Sequence, residues 1–65
     1  MELEKLDISV LYVEDSAIIR NTGAEILKQK VKTLFLAEDG AKGLELYKQH
    51  LPDIVFTDIG MPEMN

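Results

Sequence analysis

Three short apolar runs, divided by two stretches of helical periodicity, leave this chain few folds to adopt. Ile8 to Val13 is broken only by Ser9, Lys32 to Ala37 reads Lys-Thr-Leu-Phe-Leu-Ala, and Asp53 to Thr57 encloses Ile54-Val55-Phe56. All three read as strands, and the first suits one covered on both faces of a sheet. Between the first two, over Ala17 to Gln29, Ile19, Gly23, Ile26 and Lys30 share one helical face, with Ile18, Thr22 and Leu27 beside it. That phase turns Arg20, Glu25 and Lys28 toward solvent. A second helix is predicted from Gly40 or Ala41 to about His50, with Ala41, Leu44, Tyr47 and Leu51 at helical spacing. Pro52 and Asp53 stop it. The order β-α-β-α-β argues for an α/β fold with a parallel sheet and right-handed crossovers.

Local signals agree with this division. Asp15 or Ser16 stands where the first helix needs an N-cap, and Asp39 where the second does. Gly23 inside a helix costs about 1 kcal/mol relative to Ala, which predicts close packing at that point. The weak alternation of Lys32 to Ala37 suits a strand nearer a sheet edge. Lys28, Lys30 and Lys32 read as a solvated run, and His50 as a residue suited to a helix C-terminus.

Composition excludes several classes. Sixty-five residues make one domain at most, and a chain of that size buries only about 60% of its unfolded surface. Hydrophobic content of 46% with 29% charged residues is that of a globular protein rather than a disordered one. A net charge of −5 argues against nucleic-acid contact by this segment. There is no cysteine, so thiol and disulfide chemistry are absent. Neither a signal segment nor a membrane-spanning run is legible, and a cytoplasmic location is expected.

Chemistry concentrates at the strand tips. Glu14 and Asp15 follow the first run; Asp58 follows the third and leads into Gly60-Met61-Pro62. In open α/β sheets that rim is where ligands bind. The acids form one site only if the first and third strands are neighbours. The flavodoxin-like order 2-1-3 makes them so, a geometry borrowed from known doubly wound sheets. Carboxylates sharing one crevice repel unless they are protonated or a cation neutralises them. An oxygen-only donor set without His or Cys suits Mg²⁺. Each residue also has a plainer reading. Asp15 or Ser16 can be a helix cap alone, and Asp58 a turn residue before Gly60 and Pro62. The pairing of the two acidic tips favours a site, whereas Asp39 reads as a cap despite its neighbour Glu38.

The motifs Leu11-Tyr12-Val13-Glu14-Asp15-Ser16, Ala37-Glu38-Asp39-Gly40-Ala41 and Pro52 through Met64 resemble, in spacing and order, the receiver domain of two-component response regulators. The resemblance implies that Asp58 is the phosphoacceptor, attacking a phosphohistidine on a sensor histidine kinase or phosphotransfer protein. It implies that Asp15 binds Mg²⁺ directly, Glu14 through a water, and Gly60 through its carbonyl, with Asp58 completing the set. A cation there would relieve repulsion between the attacking carboxylate and the phosphoryl oxygens.

Receivers continue through two further strand-helix pairs that supply a Ser/Thr hydroxyl and a Lys. Residues 1–65 are therefore expected to be the N-terminal part of a single receiver domain, ending after the third strand and the phosphoacceptor loop. On this expectation the isolated piece is inactive, and its third-strand edge is open to homodimer formation. The competing enzyme reading is a Mg²⁺-dependent phosphatase of the haloacid dehalogenase class. Such enzymes need a second Asp two residues past the nucleophile, where this chain has Gly60.

Overall fold

The computed structural model describes residues 4–57. Its elements run β1 (Leu6–Val13), α1 (Ala17–Leu27), β2 (Val31–Ala37), α2 (Gly40–His50) and β3 (Ile54–Thr57). The strands form one parallel sheet in the order β2-β1-β3. The α/β architecture and the 2-1-3 order are those expected, with element ends shifted by one or two residues.

β1 is central because it is the most apolar strand, and only a central strand can bury both faces. Val10, Leu11, Tyr12 and Val13 are all buried. Val10 to Val13 pair with Leu34 to Ala37 on one side and with Ile54 to Thr57 on the other. The β1–β2 register slips once between Leu6 and Ser9, ahead of the regular ladder.

Successive β1 side chains point to opposite faces, and each face receives one helix. α1 brings Gly23 against the Tyr12 ring, and α2 brings Gly43 against Val13. On the α2 side Leu11, Val13 and Ala37 form a buried cluster with Phe35 and Leu46 packed on it. The helices are capped at their N-termini by side-chain oxygens. Ser16 Oγ accepts from the Ile19 N–H at 3.3 Å, and Asp39 Oδ1 from the Lys42 N–H at 2.8 Å. α2 ends on Leu51 at φ 47°, a left-handed conformation usually left to Gly. Near its end, His50 stacks on Phe35 with ring centroids 4.1 Å apart.

Both helices are rotated from the phase expected. On α1, Ala24 is buried and Gly23 and Leu27 are partly buried, while Ile18, Ile19 and Ile26 are exposed. On α2 the inward residues are Gly43 and Leu46; Ala41, Leu44, Tyr47 and Leu51 are exposed. The reason is steric: small residues let each helix backbone approach the large residues of β1. Aliphatic spacing alone misses this. Arg20, assigned to solvent, is also corrected, since it is half-buried and folds back on the loop after β1.

Candidate metal and phosphoacceptor site

The site is built where β1 ends. Val13 and Thr57 are register partners on adjacent parallel strands, and the residues that follow them in sequence are Glu14 and Asp58. Asp58 and Gly60, the expected phosphoacceptor and carbonyl ligand, lie outside the described residues. Glu14 and Asp15 lie within them, at the C-terminal tip of the central strand.

The two acids differ sharply in environment. Asp15 is exposed, while Glu14 is only 2% exposed. The Glu14 backbone N–H donates to the Ala37 carbonyl at 3.0 Å, which extends the β1–β2 ladder into the loop. Its carbonyl oxygen accepts from Arg20 Nη1 at 2.8 Å. Its carboxylate Oε2 accepts from the Ser16 N–H at 2.9 Å. Oε1 is buried and has no hydrogen-bond partner among the described residues. A buried carboxylate oxygen left unpaired costs about 1–3 kcal/mol or more, so the site has an acceptor that a cation, or a water held by one, would satisfy. The residues therefore fit a hard divalent cation in donor chemistry. Among the described residues no group of three His, Cys, Asp or Glu side chains is assembled to hold a metal.

Ser16, rather than Asp15, is the N-cap of α1. Asp15 is thus relieved of the capping role that sequence left open to it. Asp39 does cap α2, as its plainer reading had it. The participation of Arg20 was missed, although a signal existed. Helix side chains lean toward the N-terminus, so a long Arg one turn into α1 can reach back over the loop that feeds it.

Among the described residues, two apolar grooves flank β3. One, on the α1 side, is lined by Tyr12, Gly23, Ile26, Leu27, Phe56 and Thr57. The other, on the α2 side, includes Leu11, Val13, Leu44, Tyr47 and Val55. Among the described residues no helix is long and apolar enough to cross a membrane.

Comparison with known proteins gives this geometry a family. Residues 10–65 match the response regulator receiver domain. The chain is 44% identical over 57 residues to the chemotaxis protein CheY of Bacillus subtilis, covering 86% of this chain and 48% of that protein. It is 43% identical over 53 residues to the CheY of Halobacterium salinarum, covering 82% and 44%. It is 40% identical over 60 residues to protein-glutamate methylesterase/protein-glutamine glutaminase 2 of Nitratidesulfovibrio vulgaris, covering 89% of this chain and 16% of that protein. The chain thus spans less than half the length of these curated relatives. No solved structure matches it. With the acidic tip of β1 beside β3 and the family match running from Val10 to Asn65, the chain belongs to the response regulator receiver domain family.

Proposed function

We propose that the chain is a phosphoaspartate receiver in two-component signalling, a switch rather than an enzyme acting on an external substrate. Asp58 is the phosphoacceptor, and a sensor histidine kinase or phosphotransfer protein is the donor. The observation that carries the reading is the Val13–Thr57 register, which makes Glu14-Asp15 and Asp58 the next residues on neighbouring strands. Glu14, Asp15, Asp58 and Gly60 are the residues that would hold Mg²⁺. When bound, the cation would neutralise charge on the phosphoryl oxygens and on the carboxylates around them.

In the transfer, an Asp58 carboxylate oxygen forms the new P–O bond. The P–N bond to the donor imidazole breaks, and its electron pair returns to that nitrogen. The haloacid dehalogenase alternative draws no support from the family match, and Gly60 stands where it needs a general acid. The test is labelling by phosphoramidate with Mg²⁺ in the protein as its native host makes it. Phosphate should appear on Asp58 and be lost in Asp58→Asn; labelling that survives the substitution overturns the assignment.

The reading places the protein in the cytoplasm, where its kinase partners present their phosphohistidines. For residues 1–65 on their own it includes self-association through β3 as a secondary property. Ile54, Val55 and Phe56 are 43%, 43% and 51% exposed, and β3 pairs only with β1 among the described residues. An apolar strand edge of this kind favours pairing with a second copy. Sedimentation at micromolar concentration tests it, and a folded monomer overturns it.

A further inference from the structure

We propose that Arg20 is a positioning residue for the acidic loop, setting the Glu14–Asp15 peptide so that both carboxylates are presented to a divalent cation. The proposal rests on the metal site proposed above and adds to it a residue from α1. Three of the four polar atoms of Glu14 are committed: N–H to the Ala37 carbonyl, C=O to Arg20, and Oε2 to the Ser16 N–H. The first comes from β2, the second from the second turn of α1, and the third from the α1 cap. Among the described residues only Oε1 is left over, buried and unpaired.

The Arg20 bond has a particular reach. The Glu14 carbonyl belongs to the same planar unit as the Asp15 N–H. Fixing its oxygen at 2.8 Å therefore fixes the orientation in which the chain enters Asp15. Of the three bonds, this one alone constrains that peptide plane from outside the strand. Without it the plane is free to rotate, and the position from which the Asp15 side chain leaves the backbone is no longer fixed relative to Glu14.

A competing effect has the opposite sign. The guanidinium is a fixed positive charge beside a cation site, and by charge alone it repels Mg²⁺. If charge dominated, removing Arg20 would tighten Mg²⁺ binding; if positioning dominates, removal weakens it. Positioning should win, because the hydrogen bond is direct, whereas the opposing charge sits on a half-buried guanidinium beside the exposed Asp15, where solvent and salt still screen it in part. Loss of outer-shell partners of metal ligands weakens binding about 10- to 100-fold, so the lower end of that range is expected here.

The test is a Mg²⁺ titration of the purified protein, followed by the amide resonances of Asp15 and Ser16. Arg20→Met should bind Mg²⁺ about tenfold more weakly than the unaltered protein. Arg20→Lys, which keeps a donor and a charge, should recover part of the loss. Unchanged or tighter binding in folded Arg20→Met overturns the proposal, as does an Arg20→Lys protein that binds no better than Arg20→Met. If Arg20→Met does not fold, the unaltered protein decides: its Arg20 guanidinium signals should shift on Mg²⁺ saturation, and indifference overturns the assignment. Absence of Mg²⁺ binding by the unaltered protein overturns both the site and this inference. Binding that ignores Arg20 overturns the inference alone.

Discussion

Gly23 and the ring of Tyr12 are in such close contact that a Cβ on Gly23 would stand 2.6 Å from Tyr12 Oη and 2.7 Å from its ring edge. Tyr12 is buried on the central strand, so the contact fixes how near α1 lies to the sheet. Gly23→Ala would gain about 1 kcal/mol of helix propensity and incur about 1–3 kcal/mol of overpacking. The net is destabilisation. Gly40 has nothing within 4 Å of its would-be Cβ, so Gly40→Ala should be neutral or stabilise by up to about 1 kcal/mol. Urea unfolding of the two variants reads the difference, and an unaffected Gly23→Ala would show that the Tyr12 ring moves aside freely.

Asp53 ties the beginning of β3 to β1. Its Oδ2 accepts from the Ser9 N–H at 2.9 Å and from Ser9 Oγ at 3.2 Å, while its own N–H donates to the Ser9 carbonyl at 2.9 Å. The tether spans 44 positions in sequence and sets where β3 joins the sheet. Asp53→Ala removes only the side-chain bonds and should cost about 0.5–1.5 kcal/mol. Hydrogen exchange of the β3 amides should rise before that of α2. Uniform loss of protection would show that Asp53 stabilises the whole fold rather than this junction.

Asp39 offers a control among the acids. Its carboxylate caps α2 through the Lys42 N–H, a role that accounts for it without the metal site. Asp39→Ala should lower stability by about 0.5–2 kcal/mol, and Asp39→Asn should restore most of it, since Asn caps nearly as well. Mg²⁺ affinity should be unchanged in both. Weakened Mg²⁺ binding in a folded Asp39→Asn protein would place Asp39 in the site rather than at a cap.

Sequence made the sheet legible because strand identity depends on burial of consecutive apolar residues, and Val10 to Val13 are far more apolar than their flanks. The 2-1-3 order followed once Glu14-Asp15 and Asp58 were required to meet. Helix rotation was not legible in the same way. Ile19, Gly23, Ile26 and Lys30 suggested one inward face with close packing at Gly23; Gly23 does meet Tyr12, but the buried residue of α1 is Ala24 and the isoleucines are exposed. Arg20 was assigned to solvent because charged residues seldom turn inward without a partner. Its partner is a backbone carbonyl, so the one signal was its place a turn into α1, from which a long side chain can reach back over the loop. The burial of Glu14 was hidden for a related reason. β2 and the N-terminal end of α1 close over it, and only their assembly reveals which of its oxygens lacks a partner among the described residues.

That unpaired oxygen gives the last prediction a sign that reverses with the metal. Without Mg²⁺, Glu14 Oε1 is buried with no donor among the described residues, a cost that a carboxamide of the same shape reduces because a neutral polar group is cheaper to bury than a carboxylate. Glu14→Gln can still accept from the Ser16 N–H through its amide oxygen, so the loop bond at 2.9 Å survives. The metal-free variant should therefore be as stable as the unaltered protein or more so. Mg²⁺ in excess stabilises whichever protein binds it, by about 2.7 kcal/mol at a hundred times Kd. The unaltered protein should gain stability as Mg²⁺ rises, and Glu14→Gln should gain much less, so the two curves cross. Thermal unfolding of both proteins across a Mg²⁺ series measures this directly. Parallel curves would mean that the Glu14 carboxylate takes no part in binding the cation, and a metal-free Glu14→Gln protein that is clearly less stable would mean that Oε1 already has a partner in solution.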